Sequence, residues 1–278
     1  MDNFSITVNN HRVSYTDNAK YAVPVITFIH GFPFNKFMWK SQVESLRDFY
    51  RVITYDIRGF GDSDTGNADF TIELFVKDLV SLLDALKIDK TFLCGLSMGG
   101  YIALNAIENY AGRFNALILS DTNCIADTDE TKEKRMKTIE NIRKTGIEKY
   151  ADESIKLFFT PESFTKRVEV IASAREMITK TSEKSLSNTL RALSVRKETC
   201  SNLENINIPV LIMVGKEDNI TPPAAAQSMH EKIHDSLLKI IENAGHLSNI
   251  ENPEEFNLQL KIFVASVDEM QNAEPVKV

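Results

Sequence analysis

Residues 23–29, 52–55, 91–94, 116–119 and 210–214 are short runs in which β-branched or aliphatic residues follow one another with little polar interruption. Segments that brief and apolar on both sides fit strands buried on both faces, the condition of a parallel sheet covered by helices. The intervals carry the complementary signal. Residues 37–49, 72–86, 98–110, 224–234 and 254–264 place apolar side chains three or four apart, the period of helices with one buried face. A last strand is expected at 237–241. The opening, MDNFSITVNNHRVSY, alternates apolar and polar residues about Asn9-Asn10, which predicts a β-hairpin. The chain therefore reads as an α/β protein: a hairpin followed by βα units.

The interval 125–202 departs from this pattern. It holds no convincing strand and carries charged helical patterns such as TKEKRMKTIENIRKTG and FTKRVEVIASAREMI. It is too long for an ordinary connection between sheet strands, so a helical insertion is expected there, acting as a cap or lid over a core made of 1–124 and 203–270. Residues 271–278 read as a disordered tail. At 278 residues, with 43% hydrophobic and 26% charged, the chain can bury one large core.

Charge and cysteine content exclude other classes. A formal net charge of -7 with no basic block argues against binding nucleic acid through its phosphates. No apolar stretch reaches the roughly 18 residues of a membrane span, and the amino terminus lacks the basic and apolar regions of a signal peptide. Cys94, Cys124 and Cys200 are odd in number and far apart, which fits neither a disulfide framework nor a zinc site. They are expected to be reduced thiols in a cytoplasmic protein.

Chemistry enters at TFLCGLSMGGYI, residues 91–102, where a buried strand runs into glycine, serine and then a helical pattern. Gly95-Leu96-Ser97-Met98-Gly99 fits the G-x-S-x-G nucleophile elbow, a sharp strand-to-helix turn that exposes the serine hydroxyl. The bland alternative is a glycine-rich turn with an incidental serine. A serine hydroxyl becomes a useful nucleophile only when a base takes its proton and an acid orients that base. Of the five histidines, His11 lies in the hairpin, His230 and His234 fall on a charged helical pattern, and His30 ends a strand. His246, in the loop between the last strand and the last helix, is the candidate base. Asp218, after the strand that resumes the sheet, is the candidate acid, with Glu217 and Asp121 as competitors. His30-Gly31-Phe32-Pro33 closes another strand, so that the backbone N–H groups of Phe32 and Met98 can meet as an oxyanion hole. His30 itself reads as a structural hydrogen-bonding residue.

Together HGFPFNKFMW, YDIRGFGDSD, GLSMGGYIAL, VGKEDNITPP and NAGHLSNIENPEEF resemble the α/β-hydrolase superfamily across nearly all of the chain except the insertion. The resemblance implies a mostly parallel eight-stranded sheet with helices on both faces and a helical cap. It also implies Ser97 as nucleophile, His246 as base and then acid, Asp218 as its orienter, and the Phe32 and Met98 amides as the oxyanion hole. Within the superfamily the motifs are similar to small serine esterases, 3-oxoadipate enol-lactonases and cofactor-free haloperoxidases. Serine rather than aspartate at position 97 argues against haloalkane dehalogenase and epoxide hydrolase chemistry. The expectation is a carboxylic ester hydrolase acting on a small-molecule ester or lactone, with neither cofactor nor metal, and with no nucleic-acid or membrane partner. A carbon–carbon bond hydrolase with the same three residues and a ligand receptor of this fold with little turnover stay open, as does assembly into a homo-oligomer. Trp39 is a candidate pocket residue, although a lone helical Trp more often belongs to the core. Phe158, Phe159 and Phe164 of the insertion stand between pocket wall and ordinary packing. Residues 58–63 read as a structural loop.

Overall fold

The computed structural model describes residues 2–273. Strands β1 (Asp2–Val8) and β2 (His11–Asp17) form the hairpin, turning through Asn9 and Asn10, both at positive φ. That is the backbone a two-residue hairpin turn needs, and Asn tolerates it better than most residues. β3 (Val25–Ile29), β4 (Arg51–Tyr55), β5 (Thr91–Leu96), β6 (Phe114–Ser120), β7 (Val210–Gly215) and β8 (Leu237–Ile241) complete an eight-stranded sheet in the order β1-β2-β4-β3-β5-β6-β7-β8. β1, β2 and β4 pair antiparallel, and every pair from β4–β3 onward is parallel.

The uninterrupted apolar runs are explained by what covers the two faces. Along β6, Ala116 and Ile118 join one core cluster while Leu117 and Leu119 join the other. β7 divides in the same way, with Leu211 and Met213 opposite Val210, Ile212 and Val214. A strand's side chains alternate between faces, so covering both faces demands an apolar residue at every position. One face is covered by α2 (Ile72–Ala85), α3 (Met98–Tyr110) and α9 (Pro223–Lys232), the other by α1 (Lys40–Leu46) and α11 (Pro253–Ala273). The expected helix at 37–49 is shorter: it begins as a 3-10 turn, Lys36–Trp39, capped by the Asn35 side chain, and only then becomes α1. α11 runs three residues into the expected tail; the remainder, 274–278, lies outside the described residues.

Between β6 and β7 the chain builds α4 (Asp129–Thr145), α5 (Ile147–Phe158), α6 (Ser163–Lys166), α7 (Val168–Thr179) and α8 (Glu183–Ser194). α4 packs on α8 and α5 on α7. Here the cysteine expectation is corrected. Cys124 and Cys200 are joined by a disulfide, with their Cα atoms 4.9 Å apart across 76 residues of sequence, and only Cys94 is a free, buried thiol. Their distance in sequence concealed the pairing. The insertion leaves β6 and returns to the adjacent strand β7, so its two ends are close in space, and Thr199 N–H also donates to the Cys124 carbonyl at 2.8 Å. The cysteines therefore no longer argue for a reducing compartment. Among the described residues no helix is long and apolar enough to cross a membrane.

Loop 56–64 is held by a buried network. Lys36 Nζ lies 2.6 Å from Asp56 Oδ2, both side chains fully buried, and Arg58 makes two 2.8 Å bonds to Asp78. β3, β5, β6, β7 and β8 are parallel neighbours, so the segments following them all emerge at one edge of the sheet. His30, Ser97, Asp121, Asp218 and His246 lie in those segments.

Candidate active site

Ser97 connects β5 directly to α3 with φ 54° and ψ -114°. A non-glycine residue seldom adopts such a backbone, and it persists only where the surroundings enforce it. Ser97 N–H donates to the Ser120 carbonyl at 2.9 Å, and the Thr122 hydroxyl donates to the Ser97 carbonyl at 2.8 Å. The flanking glycines are required by close approach: a Cβ on Gly95 would lie 2.2 Å from the Gly99 carbonyl oxygen, and one on Gly99 would lie 2.3 Å from that of Ile29. The helix can follow the strand this tightly only if both positions lack side chains.

The elbow lifts Ser97 Oγ to 2.9 Å from His246 Nε2, and His246 Nδ1 lies 2.8 Å from Asp218 Oδ2. His246 is 2% exposed and its backbone N–H donates to the Phe158 carbonyl at 3.1 Å, which fixes the loop after β8 against the end of α5. Asp218 is held by its own turn. Oδ1 accepts from the N–H groups of Ile220 (2.8 Å) and Thr221 (3.0 Å), and Oδ2 accepts from the Thr221 hydroxyl (2.7 Å). Burial pushes the Asp218 carboxyl up, but the His246 imidazole and the Thr221 hydrogen bonds outweigh it and leave the group below the usual carboxylate range. Thr221 was not singled out in the sequence. A partial signal is that Asp in a loop commonly bonds the backbone two residues on, as Asp218 does with the Ile220 N–H, which brings the next residue, Thr221, beside the carboxylate.

Met98 is the first residue of α3, so its N–H is one of the four first-turn donors without an intrahelical acceptor. The 31–34 turn, closed by Phe34 N–H to the Gly31 carbonyl at 2.9 Å, passes close by: a Cβ on Gly31 would lie 3.4 Å from Ser97 Cβ. Phe32, Met98, Ser97 and His246 all line one cavity of about 270 Å³. His30 stands behind it, fully buried. Its Nδ1 lies 2.9 Å from the Gly31 carbonyl, and its Nε2 accepts the Ile57 N–H at 2.9 Å, an arrangement that requires a neutral ring.

The helices of the insertion supply the rest of that cavity. Leu157, Phe158 and Leu190 make an apolar wall, whereas Thr131, Lys134 and Arg135 of α4 make a polar one. Arg135 is paired with Asp127, which also binds Arg196, whose guanidinium lies 4.2 Å above the Tyr101 ring. Despite burial, which pushes it up, these two arginines hold the Asp127 carboxyl below its ordinary range. Phe158 both lines the cavity and stacks on the His246 imidazole, with centroids 5.9 Å apart. Phe159 is buried and Phe164 is 39% exposed. Trp39 needs correction as a pocket residue. Its ring is fully buried between Phe28 (4.8 Å) and Phe256 (6.2 Å) in the core under α1 and α11 and takes no part in the cavity wall. Its apolar mass packs the sheet to the helix, a role whose loss costs about 3–5 kcal/mol. A larger groove of about 410 Å³ between α1 and α7 has neither Ser97 nor His246 in its wall, so the chemistry and not the size locates the site. Among the described residues no group of three or more His, Cys, Asp or Glu side chains is arranged to hold a metal ion.

Comparison with known proteins bears on the family and the fold. Residues 24–253 match the sequence profile of the family described as the alpha/beta hydrolase fold. The protein named 3-oxoadipate enol-lactonase 1 from Acinetobacter baylyi is 30% identical over 266 residues, covering 95% of this chain and 98% of that one. A thermophilic esterase from Thermogutta terrifontis, solved with malate bound, is similar with a TM-score of 0.89 at 32% identity, covering 96% of this chain and 99% of that one. An enol-lactonase from Burkholderia xenovorans is similar with a TM-score of 0.88 at 25% identity, covering 94% and 99%.

Proposed function

The chain belongs to the alpha/beta hydrolase fold family, and from that premise we propose that it is a serine hydrolase cleaving a carboxylic ester or lactone of a small molecule through an acyl-enzyme intermediate. The observation that carries the proposal is the continuous relay Ser97 Oγ, His246 Nε2, His246 Nδ1 and Asp218 Oδ2, with steps of 2.9 and 2.8 Å, at the base of a cavity. The names of the enol-lactonase and esterase relatives support the same bond type.

Ser97 Oγ attacks the carbonyl carbon as His246 Nε2 takes its proton. The Nδ1–H of His246 donates to Asp218 Oδ2, which fixes the tautomer and stabilises the imidazolium that forms. Negative charge developing on the former carbonyl oxygen is met by the N–H groups of Phe32 and Met98. The tetrahedral species collapses, the leaving alkoxide takes the proton from Nε2, and the acyl group stays on Ser97. Water then repeats the sequence, giving its proton to His246 and releasing the acid with Ser97 restored. In a lactone the leaving alcohol remains tethered to the acyl chain and the steps are the same. The apolar wall of Leu157, Phe158 and Leu190 receives hydrocarbon, and the α4 wall receives a polar end.

The test is hydrolysis of short and medium acyl p-nitrophenyl esters and small lactones by wild type and Ser97→Ala between about pH 5 and 9. Removing the nucleophile is expected to lower kcat by about 10⁴-fold or more. Unchanged hydrolysis in Ser97→Ala overturns the proposal, and a wild type that binds these compounds without turning them over is a receptor of the same fold.

A further inference from the structure

Glu251 is a fully buried carboxylate at the end of the short helix α10 (Ser248–Glu251), and its four hydrogen-bond donors come from two separate parts of the molecule. Oε2 accepts the Gly245 N–H at 2.6 Å, in the loop that presents His246. Oε1 accepts the Thr160 N–H at 2.8 Å, the Thr160 hydroxyl at 2.9 Å and the Ser163 hydroxyl at 2.6 Å, all from the insertion just after α5. These donors are neutral. Burying an ionised carboxylate is costly unless its oxygens are fully occupied, and short charge-assisted bonds of this kind are stronger than neutral ones. Such a site holds both segments in one fixed relation.

The same junction carries two further contacts. His246 N–H donates to the Phe158 carbonyl at 3.1 Å, and the Phe158 ring lies against the imidazole. Residues 158–160 are thus bound at Phe158 O and at Thr160 N to residues 245–251, with Glu251 supplying the acceptor for the second bond. Gly245 fits the same narrow space: a Cβ there would lie 3.1 Å from Glu251 Oε2 and 3.2 Å from the Phe158 carbonyl oxygen.

We propose that Glu251 is a positioning residue that locks the His246 loop to the helical insertion, so that seating of the insertion over the cavity and alignment of the imidazole with Ser97 are one event. The proposal rests on the serine-hydrolase reading of the same site. Glu251 touches neither Ser97 nor the imidazole in this arrangement; it acts through the Gly245 and Thr160 amides. Small displacements of a reacting group away from its productive geometry cost rate out of proportion to their size, about 10²-fold for 1 Å. Glu251→Gln replaces one carboxylate oxygen with a donor that opposes either the Gly245 N–H or the Thr160 and Ser163 donors.

The experiment combines steady-state hydrolysis of a short p-nitrophenyl ester, the rate of covalent labelling by a fluorophosphonate, and a thermal melt. Glu251→Gln is expected to lower kcat and the labelling rate about 10- to 100-fold with KM changed less than about threefold, at a temperature where its melt shows it fully folded. Ser163→Ala and Thr160→Val leave the carboxylate in place and remove one hydroxyl each; each is expected to lower kcat about threefold in wild type but not further in the Glu251→Gln background. If Glu251→Gln does not fold, the single variants decide the matter: folded Ser163→Ala and Thr160→Val with kcat and labelling rate both equal to wild type overturn the proposal. A folded Glu251→Gln with kcat within about twofold of wild type overturns the proposal, as does additivity of Ser163→Ala with Glu251→Gln. Absence of Ser97-dependent labelling in wild type overturns the serine-hydrolase reading and this inference with it, whereas normal wild-type labelling with an equal rate in Glu251→Gln overturns this inference alone.

Discussion

Asp218 and Asp121 follow neighbouring parallel strands, yet only Asp218 touches His246. Asp218 Oδ2 lies 2.8 Å from His246 Nδ1, whereas Asp121 Oδ1 accepts the Gly215 N–H at 2.8 Å and its Oδ2 accepts the Ser248 hydroxyl. Asp121 thus braces the two segments next to Asp218 and His246. Burial, followed by the nearby charge of Asp218, raises the Asp121 carboxyl well above its ordinary range, while the Asp218 carboxyl is lowered. Asp218→Asn is expected to reduce kcat by about 10³- to 10⁴-fold, since an amide stabilises neither the correct tautomer nor the imidazolium. Asp121→Asn, which keeps an acceptor for Gly215, is expected to cost less than about tenfold. Parallel kcat measurements check this, and equal losses contradict the assignment.

His30 predicts how stability responds to acid. Burial is the main cause that pushes its imidazole down to about 4, and a neutral ring is what the Ile57 N–H requires as its acceptor. The unfolded chain binds the proton from about pH 6.5 downward while the folded chain resists it to about 4, so this contribution to stability is present above pH 6.5 and is lost as pH falls through that window. The shift corresponds to about 3 kcal/mol. His30→Asn is therefore expected to be less stable at pH 7 yet to lose about 2–3 kcal/mol less than wild type between pH 7 and pH 4.5. Urea unfolding at the two pH values measures the difference, in which the contributions of the other titratable groups cancel. Equal losses refute it.

The readable parts of this molecule are those where a local rule meets a single solution. β5 and β6 showed themselves because both faces of the sheet are covered, and Ser97 because its turn needs Gly95 and Gly99 beside it. The order of the strands carries Asp218 and His246 to the same edge as Ser97, which is why the three could be grouped from the sequence. What stayed hidden depends on contacts between distant segments. Glu251 looks like an ordinary polar residue in NIENPEEF, and only the approach of Thr160 and Ser163 turns it into a buried anchor. Cys124 and Cys200 look unpaired until the insertion returns to the strand beside the one it left. Trp39 is ambiguous in the sequence for the opposite reason: nothing in its local pattern tells the inner face of a helix from the wall of a cavity.

The disulfide closes a loop containing all five α-helices of the insertion, α4 to α8. Cross-linking residues 76 apart restricts the unfolded chain by about 4 kcal/mol in the chain-entropy description. Cys124→Ser with Cys200→Ser is expected to lower Tm by about 5–10 °C. A melt of wild type with and without a thiol reductant should show a shift of the same sign, and the double serine variant should be indifferent to the reductant. A wild type whose Tm does not respond to reduction contradicts the stabilising role.

Phe158 offers a way to separate the shape of the cavity from its chemistry. Its carbonyl holds the His246 backbone, but its ring does two other things: it forms part of the apolar wall and lies 5.9 Å from the imidazole centroid. Phe158→Leu keeps the carbonyl and most of the apolar character while removing the flat surface and some volume, and a large-to-small change of this kind next to a cavity leaves room that a longer acyl chain can fill. The variant is expected to lower kcat on an acetyl ester about three- to tenfold, because the imidazole loses its stacking partner, and to move the preference in kcat/KM towards longer acyl groups by about tenfold relative to wild type, within the roughly 1–3 kcal/mol that a methylene or two can contribute in an apolar pocket. A p-nitrophenyl ester series from acetyl to octanoyl measures both effects in one experiment. A uniform loss across the series would place the ring's role entirely with His246, and an unchanged series would remove Phe158 from the substrate wall.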